Sequence, residues 1–136
     1  VDPAGLEGPG CFGVAEADGT SRLLKLRDPS SLETLMEGRS AAYRELDAAI
    51  LETVVFSGIL GMTEEDVEAK RGLAYAKTIA DATGAVEAGG AQAAFILRAT
   101  PIEQVRAVAD AGETMPPKST YFFPKLPTGI VFNPLS

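Results

Sequence analysis

The stretch AAFILRATPIEQVRAVADAG, residues 93–112, decides how the chain is read. Its first residues, from Ala93 to Leu97, form a short apolar run of strand length. Thr100 and Glu103 have the spacing of a capping box, and Pro101 at the first helical position lacks only an N–H that the helix would not use. Ile102, Val105 and Val108 then recur at helical intervals and are expected to face the core, with Gly112 as the stop. A unit of the same design lies just upstream. There LAYAK, residues 73–77, reads as a strand, and Thr78 and Asp81 as a cap. Ile79, Ala82 and Val86 make the apolar stripe, and Gly89 and Gly90 close it. Downstream, TGIVFN at 128–133 supplies a further strand. Strand–helix–strand alternation implies parallel pairing through right-handed crossovers.

Toward the N-terminus the period changes from helical to alternating. In CFGVAEADGTSRLLKLRD, residues 11–28, Phe12, Val14 and Glu16 alternate with smaller residues, Asp18-Gly19 supplies a tight turn, and Leu24 and Leu26 alternate with Lys25 and Arg27. That is a β-hairpin, ended by Asp28-Pro29. SSLETLMEG reads as a short helix or turn that Ser31 can cap. The main apolar element follows, with Tyr43, Leu46, Ile50 and Val54 at helical spacing and Val55, Ile59 and Leu60 widening the face. It is expected to be a largely buried helix stopped by Gly61; TVVFSGIL alone could also be read as a strand, and the length of the run favours the helix. TEEDVEAKRG opens on the capping-box spacing of Thr63 and Asp66. The fold class is therefore α+β: an N-terminal hairpin plus βαβαβ-like units forming a mixed sheet, with helices packed against it. Residues 1–10 are rich in Gly and Pro and read as a linker or arm. Residues 11–136 form a single domain.

Composition narrows function by exclusion. The chain has 136 residues, enough to bury roughly two-thirds of the surface its unfolded form exposes. Histidine is absent, which removes imidazole acid–base catalysis, His-containing nucleophile relays and His-ligated metals. Cys11 is the sole cysteine, so no intrachain disulfide forms, and a reducing cytoplasm is the expected setting. Net charge is −7, against the cationic surface that nucleic acid requires. No apolar run reaches the roughly 20 residues of a membrane span. Neither nucleic acid nor membrane is an expected partner, and no cofactor is called for. The chain opens on Val rather than Met, and a piece of a longer protein is expected.

The segment ETMPPKSTYFFPKLPTG, residues 113–129, is the candidate site. Its prolines fix their own φ and hold their predecessors extended, so most of it runs as a stiff loop. Lys118, Ser119, Thr120 and Lys125 offer two ammonium groups and two hydroxyls to a phosphate or carboxylate. Pro116, Pro117, Tyr121, Phe122, Phe123, Pro124 and Gly129 are the structural anchors. PPKST shares only its last letters with a phosphate-binding P-loop, whose glycines are missing. A structural strap, a ligand-touching loop and a partner surface remain open readings. Arg98, at the end of a strand and before a capped helix, joins the ligand candidates. Glu64, Glu65, Asp66 and Glu68 lack calcium-loop spacing and read as a solvated helix start. Glu45, Asp47 and Glu52 could pair as acid and base, with nothing to bring a substrate to them. Cys11 reads as a small packed hydrophobe.

The run from AAFILR to IVFNPL resembles the C-terminal end of the domain-of-unknown-function family 1015. Its pattern VxAVADAGExMPxKSTYFxPKLxTG is matched almost letter for letter from Val105 to Gly129. LDAAILETVVFSGILGM and RLLKLRD are similar to that family's apolar helix and hairpin strand, although Glu52 and Thr53 stand where the family often has a His-Glu pair. The resemblance implies a C-terminal domain of a longer parent. The family's N-terminal part carries a His-containing segment similar to one in ParB-like proteins and free serine kinases, and that segment is absent here. The resemblance thus implies a domain separated from the part of its parent that holds any chemistry. With the lysines and hydroxyls of residues 113–129, the expectation is a non-catalytic domain that packs on the N-terminal part of its own parent chain and helps bind a small anionic, phosphorylated metabolite. The alternatives are a self-association module, forming a homo-oligomer or a protein interface, and a fragment of a phosphotransfer enzyme. No catalytic residue is carried over.

Overall fold

The computed structural model describes residues 5–120. The expected strand at 128–133 and the candidates Tyr121, Phe122, Phe123, Pro124, Lys125 and Gly129 lie outside them. The fold is α+β. A three-stranded sheet in the order β2-β1-β3 is built from β1 (Cys11–Glu16), β2 (Ser21–Lys25) and β3 (Ala93–Ile96). The hairpin forms as its alternation predicts: Phe12 opposes Leu24, Val14 opposes Arg22, and Gly19 takes φ 81° in the turn. Only a residue without a Cβ enters that region readily.

Parallel pairing, by contrast, is not found among the described residues. β3 runs antiparallel to β1, with Val14 opposite Phe95 and Ala15 opposite Ala94. The upstream segment at 73–77 forms no strand and is mostly exposed, Tyr75 retaining 50% of its accessible surface. Two alanines and a terminal lysine leave LAYAK too little apolar area to hold a place in the sheet. Without it, the helix that follows is no crossover.

The sheet is covered on both sides, as the pleat of β1 dictates. Phe12 points into the main core with Leu32, Met36, Leu46, Ala49, Ile50, Leu51, Val55 and Val108. Cys11, on the opposite face, packs with Leu6 and Ile96, and Ala15 with Val86 and Ala94. The main-core side carries α1 (Ser31–Leu35), α2 (Ala41–Arg44), α3 (Asp47–Ile50) and α6 (Ile102–Asp110), and the other side carries α5 (Ile79–Glu87). α4 (Glu64–Glu68) is a short exposed turn of helix carrying the predicted capping box, with both the Thr63 and the Asp66 arms made. Residues 5–10, inside the stretch read as an arm, contribute the buried Leu6 and Gly10.

The long apolar element departs from the expected single helix. It breaks after α2, resumes as α3, and continues as a π-helix over Leu51–Ile59. The Leu60 N–H donates to the Val55 carbonyl, five residues back, at 2.9 Å. This wider winding moves the buried stripe from Ile50 to Leu51 and Val55 and leaves Ile59 and Leu60 exposed at 72% and 56%. Phe56 on the π-helix meets Phe95 of β3 edge to face, ring centroids 5.7 Å apart. In α6, Val108 is fully buried but Ile102 is 58% exposed, because Pro101 is the N-cap and Ile102 opens the helix ahead of the turns that reach the core.

Candidate functional site

The candidate segment is fastened at successive points. Gly112 takes φ 74° and ends α6, after which the Glu113 N–H donates to the Val108 carbonyl at 3.1 Å. The Glu113 carboxylate accepts from the Ser40 backbone N–H at 3.0 Å and from Arg39 Nη1 at 3.5 Å. Those donors, Ser40 first and then Arg39, hold the carboxyl below its ordinary pKa. Arg39 in turn lies over the Tyr43 ring, 4.4 Å from its centroid. Met115 packs against the main core, and Pro116 is buried.

Pro116 to Ser119 forms a tight turn. Ser119 donates twice to the Pro116 carbonyl, from its backbone N–H at 3.3 Å and from Oγ at 2.6 Å. Within the turn Lys118 takes φ 61°, a conformation that non-glycine residues adopt rarely. Pro117 and Lys118 are exposed, while Ser119 and Thr120 are half-buried. The turn is tied to the segment leaving β3 by a hydrogen bond from Thr100 Oγ1 to the Ser119 carbonyl, 3.2 Å long. Thr100 therefore does not cap α6, whose N-cap is Pro101 without a side-chain bond.

Arg98 sits two residues before Thr100 and points inward. Its Nε donates to Oδ2 of Asp47, a carboxylate buried to 7% exposure in the first turn of α3. The second Asp47 oxygen accepts from the Gly10 N–H at 2.8 Å. Arg98 Nη2 is also buried and has no hydrogen-bond partner among the described residues. A buried guanidinium N–H without an acceptor is unusual enough to demand one.

Among the predicted ligand residues, then, the Thr100 bond brings Ser119, with its neighbours Lys118 and Thr120, to the segment that carries Arg98. Arg98 itself is largely engaged by Asp47. The proposed acid–base set does not assemble: Asp47 is ion-paired, and Glu45 is exposed. Glu52, half-buried on the π-helix, is raised in pKa by burial first and then by the negative charges of Glu64 and Glu68. Burial and the Glu52 charge also raise Tyr75. No group of acidic or thiol side chains among the described residues is arranged to hold a metal ion. The Asp47–Gly10 contact has a faint signal in the sequence, a lone acid opening an apolar run, but the residue that meets it is not indicated.

Comparison with family models, with curated proteins and with solved structures finds no match for this chain.

Proposed function

We propose that this chain is a non-catalytic domain that packs against the remainder of a longer protein and helps close a site for a small anionic, phosphorylated metabolite. The reading rests on one observation: the hydrogen bond from Thr100 to Ser119, which docks the lysine-bearing turn onto the strand exit. Lys118, exposed on the turn, supplies a positive charge there, and the Thr120 hydroxyl and nearby backbone N–H groups supply directional donors. The prolines keep the turn ordered before any ligand arrives, which reduces the entropy lost on binding. The likeness of Val105 to Gly129 to the family 1015 pattern supports the same segment, Lys125 included.

An acidic protein of net charge −7 repels anions at long range, so the contact depends on short-range charge and hydrogen bonding within the turn. Titration calorimetry with inorganic phosphate, phosphoserine and a nucleoside monophosphate tests the proposal. Lys118→Ala and Lys125→Ala are each expected to weaken the best of these by about fivefold or more. Equal affinity in the parent chain and both variants sets the proposal aside.

A further inference from the structure

A cleft of about 300 Å³, which residues 116–119 do not line, opens between the end of the hairpin, α1 and the end of α2. Its apolar lining includes Leu26, Leu32 and Ile50, the last two buried in the core. Charged groups line it as well: Glu33 on α1, Arg44 at the end of α2, and Glu45 just after it. Neither carboxylate has an ion-pair partner among the described residues. Arg44 is held back by its Nη1, which donates to the Arg39 carbonyl, and the Glu45 backbone is fixed by Gln104, whose Nε2 donates to its carbonyl at 3.2 Å.

We infer that this cleft binds a compact organic ammonium: an apolar body over Leu26, Pro29 and Ala41, above the buried Leu32 and Ile50, with a primary amine directed to Glu33 and Glu45. The inference rests on complementarity of surface and charge. Concave sites of this kind are largely apolar, with few polar groups that fix orientation. At about 30 Å³ per water, the volume corresponds to about ten water molecules, or a ligand of about ten non-hydrogen atoms. Two carboxylates against one guanidinium leave the lining net negative. That sign selects a cation over a carboxylate and makes the Arg44 charge an opponent of binding.

The experiment titrates the chain with 2-phenylethylamine and, separately, with 3-phenylpropionate, which has a similar body and the opposite charge. Methyl chemical shifts of Leu26, Leu32 and Ile50 locate the binding. The amine is expected to saturate with a Kd of about 0.1–1 mM, in keeping with so small a ligand. The carboxylate is expected to bind at least tenfold more weakly. Glu33→Gln and Glu45→Gln each weaken the amine about three- to fivefold, whereas Arg44→Gln tightens it by a similar factor. Thermal melts confirm that each variant is folded, and the wild-type shift map and amine–carboxylate contrast stand without them. The inference is overturned if the carboxylate binds as tightly as the amine, if the methyl shifts do not saturate, or if Arg44→Gln weakens the amine.

Discussion

Gly10 is tightly constrained by its backbone conformation, its hydrogen bonds and its neighbours. Its φ is 75°, its N–H donates to Asp47 at 2.8 Å, and its carbonyl accepts from the Leu26 N–H at 2.8 Å. A Cβ placed there would lie 2.8 Å from the Leu26 Cβ, closer than side chains tolerate. Gly10→Ala combines a left-handed conformation costing about 1–2 kcal/mol with that contact, for a total of about 3 kcal/mol. A urea midpoint within experimental error of the wild type would refute this account. Asp47 carries the complementary prediction. Asp47→Asn leaves the Arg98 guanidinium without its counter-charge, and partial exposure of Arg98, 21% of its side chain, relieves part of the cost. The expected loss is about 2–4 kcal/mol by urea denaturation. Both Asp47, as an acid, and Arg98, as a lone cation, stand out in the sequence. Their union was not legible, because they are 51 positions apart and nothing local encodes a long-range pair.

Elements defined by short-range chemistry could be read directly. The hairpin follows from alternation and an Asp-Gly turn, and the start of α4 from Thr63 and Asp66, because each signal lies within a few residues of the structure it dictates. Winding and pairing were harder. An apolar stripe at residues 43–60 specifies burial along one side, and both α and π windings satisfy it. In the π register Phe56 meets Phe95 of β3, a tertiary contact that the local sequence does not encode. The same holds for β3, whose apolar run announces a strand but not its direction. The π register makes a prediction at this scale. Phe56→Ala removes the edge-to-face contact and part of the core wall and should cost about 2–3 kcal/mol. Ile59→Ala, on an exposed turn, should stay within about 0.5 kcal/mol of wild type. Comparable losses at the two positions would mean that the stripe is not wound this way.

The molecule as a whole carries an excess of acid, and its carboxylates respond to pH with opposite signs. Glu113, with Ser40 and Arg39 donating to it, and Asp66, with Thr63 and Arg71, have folded pKa values below the unfolded ones. Their stabilisation is present above the ordinary carboxylate range and is lost as pH falls through the folded value. Glu52 runs the other way. Burial and the neighbouring Glu64 and Glu68 raise its folded pKa, so the neutral form is the one the fold prefers. Its favourable contribution is complete below the unfolded pKa and disappears as pH rises through the folded one, leaving a penalty at neutrality. Glu52→Gln removes that penalty. At pH 7 the variant should be more stable by about 0.5 kcal/mol, a modest figure because a half-exposed carboxylate is screened by solvent. Near pH 3, where the wild-type side chain is also neutral, the two proteins should unfold at the same urea concentration. A gain that persists unchanged at low pH would trace to packing rather than charge. A loss at neutrality would mean that Glu52 has a cationic partner the fold depends on.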